Sequence, residues 1–219
     1  MMIFLVILAF SLPVVMPATA ETLPGGVSDI IRDLGEMRDV SWGLLDAARK
    51  AYPTNEAALT QLNVRYIEAS AVANSLIEQF QLETAAHTTL QVKRYEKAVA
   101  KTKEKCEALT NEWHRLMSPV IKTRGGSSDS TASPVMANAA KAVSIADGLL
   151  DIVTKNKKVF RNLDEQQRVE VRKLLEERRW RPLDTSSHEN QSRPKDSTGN
   201  SGKPSGTKPT STNSPASQP

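Results

Sequence analysis

The side chains that could bind a metal or carry a reaction are few and lie far apart. The chain has three histidines and one cysteine. His188 falls in a polar C-terminal stretch, and His114 follows Trp113 on what reads as a helix. His87 stands four residues after Glu83, a spacing that puts two side chains on one helix face within reach of one ion. Two ligands do not make a site, and the Glu-x-x-His spacing of helical di-iron bundles is absent. Gly25-Gly26 and Gly125-Gly126 follow no predicted strand, so neither pair opens a phosphate-binding loop. Catalytic residues: none expected. The same holds for metal and cofactor sites, and the sequence predicts a protein that is not an enzyme.

Cys106 belongs to an apolar series, Val99, Thr102, Cys106, Leu109 and Trp113, whose steps of three and four keep it on one helical stripe. A thiol there is a core residue whose ionisation is disfavoured. As the lone cysteine it can form no intramolecular disulfide.

The basic segment 155–181 carries the one surface chemistry that composition suggests. Lys155, Lys157, Lys158 and Arg161 precede a helix bearing Arg168, Arg172, Lys173, Arg178, Arg179 and Arg181. Trp180 is placed to wedge into a lipid headgroup region or an acidic polymer. Interleaved acids oppose this reading, because Glu177 with Arg181, Glu170 with Lys173 and Glu176 with Arg179 have helical pair spacing. A self-paired solvated helix accounts for the segment, and peripheral membrane or polyanion contact is the alternative. No specific nucleic-acid contact is expected. A second alternative is a small-ligand pocket among Trp42, Tyr66, Tyr95 and Trp113.

These residues must be positioned by helices. Between Pro53 and Pro119 the chain contains neither Gly nor Pro, so it offers no cheap helix break. One stripe places Leu59, Leu62, Tyr66, Ala69, Ala73, Leu76 and Phe80 together. A second runs from Val92 through Tyr95 and Cys106 to Leu116 and Val120, out of phase with the first. The phase change, with a Thr88-to-Gln91 capping-box spacing, predicts a hairpin of helices at 55–85 and 89–121; one continuous helix is the alternative, since no Gly or Pro marks the turn. Ahead of it, Ser28 caps a helix over 28–50 that buries Ile30 or Ile31, Leu34, Met37, Ser41, Leu44, Leu45 and Ala48. Behind it, a polar connection at 123–133 leads through Ser133-Pro134 into a helix over 134–160. Its expected stripe is Met136, Ala139, Val143, Ala146, Leu150 and Val153. A short charged helix over 164–180 follows an Asn162-to-Glu165 box. The predicted fold is all-α: an elongated up-down bundle of about four main helices plus the short charged one, over 28–182.

The ends set the address. Ile3 to Val15 is an uncharged apolar run, followed by small residues at Ala18 and Ala20, the pattern of a secretory signal over 1–20 cut before Glu21. Its n-region lacks Lys and Arg, which departs from the usual layout, and the alternative is an uncleaved N-terminal anchor that tethers the same domain to the outer face of a membrane. Residues 21–27 form a short lead. From 183 to 219 the chain is Ser-, Thr-, Pro-, Gly- and Lys-rich without aromatics, too poor in apolar residues to fold, and a disordered tail is expected. The combined expectation is an extracytoplasmic, periplasmic or secreted helical protein that acts by binding a protein or envelope partner.

Overall fold

The computed structural model describes residues 23–123 and 132–183, with the backbone alone at 123 and 132–139. The signal segment with Ala18, Ala20 and Glu21, most of the 123–133 connection, and the tail from Asp184 with His188 lie outside the described residues. So do the side chains of Met136 and Ala139.

The fold is all-helical among the described residues: α1 Gly25–Ala51, α2 Glu56–Ala85, α3 Val92–Thr123, α4 Ala132–Lys155, a 3₁₀ turn at Val159–Asn162, and α5 Glu165–Glu177. Helix α1 begins three residues earlier than a Ser28 cap predicts. The Pro24 carbonyl accepts from the amides of Val27 and Ser28 at 2.9 and 3.1 Å, so the helix is already under way at Gly25. Gly26 is needed where it stands, because a Cβ there would lie 2.4 Å from the Asn156 side chain. The expected stripe of α1 is buried as read, with Ile30 and Ile31 both inside. Asn55 caps α2 by accepting from the Ala58 amide at 3.0 Å.

Helices α2 and α3 form the predicted hairpin, but by a different turn. Thr88 donates to the Glu83 carboxylate at 2.5 Å rather than capping the next helix, and Arg94 reaches the same carboxylate at 3.0 Å. His87 adopts φ 56°, the left-handed conformation that usually ends a helix on glycine. The capping box at 88–91 therefore does not form, and α3 starts at Val92. Pro119 lies inside α3, which runs on to Thr123.

Helix α4 also departs from expectation. It begins at Ala132, so Ser133 and Pro134 sit within its first turn, and it ends at Lys155 instead of 160. The chain turns there so that Phe160 can pack edge-on to Phe80, ring centroids 5.8 Å apart. Ala142, Ala146, Leu149 and Val153 are buried, whereas Val143 and Leu150 are only half-buried. Because α1 and α3 press on α4 from two sides, its apolar arc is wide and its centre lies one residue off the predicted stripe. Helix α5 is capped by Asp164 with Gln167, not by Asn162 with Glu165. The extended, buried Leu163 between them delays the start.

Packing gives an up-down-up-down bundle. Pairs such as Glu36 with Lys141, Glu68 with Lys105 at 3.7 Å and Lys103 with Asp147 at 2.8 Å cross between antiparallel neighbours. Helices α1 and α2 touch only lightly, and α5 lies in the seam between them. Arg168, Val171, Leu175 and Trp180 plug it from that side. Each core Leu, Ile or Phe so buried contributes about 1.5–3 kcal/mol, which offsets the entropy of ordering the helices.

Candidate interaction surface

The residues that sequence offers for chemistry do not converge. Glu83 is buried and committed to Thr88 and Arg94, while His87 turns outward to within 3.9 Å of Glu165. His114 stacks edge-on to Trp113 at 5.3 Å. No group of three or more metal-ligating side chains occurs among the described residues. Cys106 is fully buried, and burial pushes its thiol up to about 12 from an ordinary value near 9.

The aromatic pocket does not form. Trp42, Tyr66 and Trp180 cluster at one level, with Tyr66 5.8 Å from Trp42 and 5.5 Å from Trp180. Tyr95 stacks on Phe80 at 4.6 Å elsewhere in the core. Tyr66, Tyr95 and Trp113 are each at most 1% exposed, so they fill space and enclose none. Their hydroxyls are used locally: Tyr66 donates to the Arg181 carbonyl at 3.1 Å and Tyr95 to the Gln79 carbonyl at 3.0 Å.

The basic segment divides in two. Arg168 is 1% exposed and donates to the carbonyls of Thr84 at 2.6 Å and Arg161 at 3.2 Å. Arg178 lies against Gly35, where a Cβ would come within 2.5 Å of its Cδ. Arg179 bridges Glu78 at 3.0 Å and Glu176 at 2.5 Å, and Arg181 lies over the Trp42 ring at 5.4 Å. Trp180 is 3% exposed with its amide bonded to Asn74, so it is a core plug and not a wedge for lipid. Lys155 pairs with Asp151 at 2.5 Å and Arg172 approaches Glu165 at 3.6 Å. Lys157, Lys158, Arg161 and Lys173 remain exposed, without an ion pair among the described residues. The physical reason is the open α1/α2 seam, which draws half of the charged helix inward.

What sequence reading missed is the outer face of α2. Ala57, Thr60, Gln61, Val64, Ile67, Ala71 and Ser75 are all exposed, and none is charged. Val64 is 41% and Ile67 52% exposed, neighbours one turn apart on this stripe; Leu82 near the end of the same helix, at 61%, and Val169 of α5, at 54%, are the other large aliphatic residues exposed among the described residues. The described solvent faces of the other helices carry charges along their length, such as Arg32 and Asp39, Lys101 and Glu104, or Lys141 and Asp147. Thr60 turns its hydroxyl back to the Glu56 carbonyl at 2.8 Å, and beside the stripe Ser70 does the same to Ile67 at 2.8 Å. Those hydroxyls are thereby satisfied within the helix and make little demand on solvent. Arg65 and Glu68 flank the stripe and neutralise each other at 3.0 Å. The signal was present as a second set of steps, 57, 60, 64, 67 and 71, hidden because the inward stripe accounts for α2 by itself.

A broad groove of about 930 Å³ runs along α1, lined among others by Ile31, Gly35, Val40, Gly43 and Leu174. The Glu36–Lys141 pair crosses its charged side. No described helix is long and apolar enough to cross a membrane. No family model, curated protein or solved structure matches this chain.

Proposed function

We propose that this is an exported, non-catalytic helical protein that works by contact with another macromolecule through the outer face of α2. The carrying observation is that face: seven exposed, uncharged positions from Ala57 to Ser75, with two well-exposed aliphatic side chains at its centre. An uncharged stripe with exposed aliphatic side chains at its centre, set among charged helix faces, has the make-up of a protein contact site. Export is supported by the apolar run Ile3–Val15 and the small residues Ala18 and Ala20 ahead of Glu21.

Photo-crosslinking in the host cell tests this reading. A photoreactive amino acid in place of Val64 or Ile67 should yield a discrete adduct from the extracytoplasmic fraction, on a chain that begins at Glu21. The same probe in place of Lys101 or Glu104 should not. Equal adduct yields from α2 and α3 positions, or a product that stays in the cytosol with Met1 retained, would contradict it.

A second reading rests on Lys157, Lys158, Arg161 and Lys173, the exposed cations of the segment 155–173 that have no ion pair among the described residues. They would bind a polyanion or an anionic membrane surface, and such binding weakens steeply with salt.

A further inference from the structure

Resting on the reading of the α2 face as a contact surface, we infer that its occupant is a second copy of this chain. The two copies dock antiparallel through α2, about a twofold axis between Val64 and Ile67.

Two observations favour that occupant, and a third sets the strength of the contact. First, Ala57, Thr60, Val64, Ile67 and Ala71 repeat in alternating steps of three and four, the seam spacing that packs against a helix with a like seam. Helix α2 itself presents such a seam to solvent.

Second, the charges fit this pairing. An uncharged stripe meets its own copy without like-charge repulsion: exposed charge lies at its ends, at Glu56 and Glu78, and the charges beside it, Arg65 and Glu68, pair with each other. In the antiparallel register Val64 faces Ile67 of the other copy, Thr60 faces Ala71, and Glu56 faces Ser75. A parallel pair would set each glutamate against itself. The same acidic ends disfavour an anionic lipid surface as occupant. The chain's own tail does not suit either, since beyond Leu183 it offers one aliphatic side chain, Ala216, and no aromatic.

Third, size sets the strength. From Ala57 to Ser75 the stripe is about 27 Å long at 1.5 Å per residue and about 10 Å wide. That is roughly 300 Å² per copy, below the about 800 Å² per partner of a standard stable interface. The dimer therefore belongs to the weak, reversible class, with a dissociation constant on the order of 10–100 μM.

Sedimentation equilibrium of the mature full chain, from about 1 to 300 μM, tests this. The wild type should fit a monomer–dimer equilibrium in that range. Val64→Glu should weaken it at least tenfold, with an unchanged thermal melt because the position is exposed. The double variant Val64→Glu/Ile67→Lys should recover dimer, since each introduced glutamate meets an introduced lysine of the other copy at both symmetric contacts. Val64→Lys/Ile67→Lys should remain monomeric. A wild type that stays monomeric to 300 μM, or a dimer indifferent to Val64→Glu, overturns the second-copy assignment. A double variant that stays monomeric overturns the antiparallel register. Failure here is separable from failure of the contact-surface reading: a monomer whose photo-probes at 64 and 67 still capture a different protein in cells keeps the surface and loses the homodimer.

Discussion

Cys106 lies midway along the inward stripe of α3, where burial in the apolar interior holds its thiol protonated. Its spacing among Val99, Thr102, Leu109 and Trp113 made that placement legible in the sequence. Arg168 and Trp180 were not legible, because an arginine or a tryptophan on a charged amphipathic helix reads the same whether it faces in or out. The thiol gives a signed prediction. In the unfolded chain it ionises near 9 and in the folded chain near 12, so its contribution to stability is whole below pH 9 and is lost as pH rises from 9 toward 12. Tyr66, pushed up to about 12 by burial, adds a like loss starting one unit higher, near 10. Urea midpoints of the wild type should fall between pH 8 and pH 10, and those of Cys106→Ala should fall less. Native alkylation at pH 8 should be slow and become fast in denaturant. A midpoint flat to pH 10, or rapid native labelling, would place the thiol at the surface.

Among elements, the hairpin was legible from the phase change between Phe80 and Val92, but its turn was not. It is closed by His87 in a left-handed conformation and by Glu83 holding Thr88 and Arg94, an arrangement without Gly or Pro to announce it. The helix ends also follow a rule that one-dimensional reading misses. Neither α2 nor α5 has a basic residue in its last turn, and each receives an arginine from a neighbour instead. Arg168 of α5 donates to the Thr84 carbonyl of α2, and Arg38 of α1 donates to the Glu177 carbonyl of α5. A cation at a helix C-terminus and a satisfied carbonyl are both stabilising, and together they pin α5 into the α1/α2 seam. Arg168→Met would leave the Thr84 and Arg161 carbonyls without this donor. It should cost about 2–4 kcal/mol, a fall in Tm on the order of 10 °C for a domain of this size. Faster amide exchange should appear first in the last turn of α2 and in α5. A melt within about 2 °C of wild type would show that the guanidinium is replaceable by packing alone.

At the level of the molecule, sequence conveyed an all-helical bundle because four apolar stripes leave few other ways to bury themselves. It conveyed less about surfaces, since every stripe was assigned inward and a second, weaker periodicity on α2 had no place in that scheme. The basic segment was the visible surface candidate, and packing uses Arg168, Arg178, Arg179 and Trp180 of it. Folding leaves the uncharged face of α2 unexplained, and the account turns on its being covered in use. Because Cys106 is buried, cysteines introduced singly at Ile67 or Lys101 report surface access against a silent background. The deciding measurement compares their labelling by a membrane-impermeant maleimide, first in dilute purified protein and then in the native extracytoplasmic compartment. Ile67→Cys should label as fast as Lys101→Cys in dilute solution and at least several-fold more slowly in the compartment, while Lys101→Cys labels alike in both. Equal labelling of the two positions in the compartment would mean that the α2 face stays bare, and the central claim would be wrong.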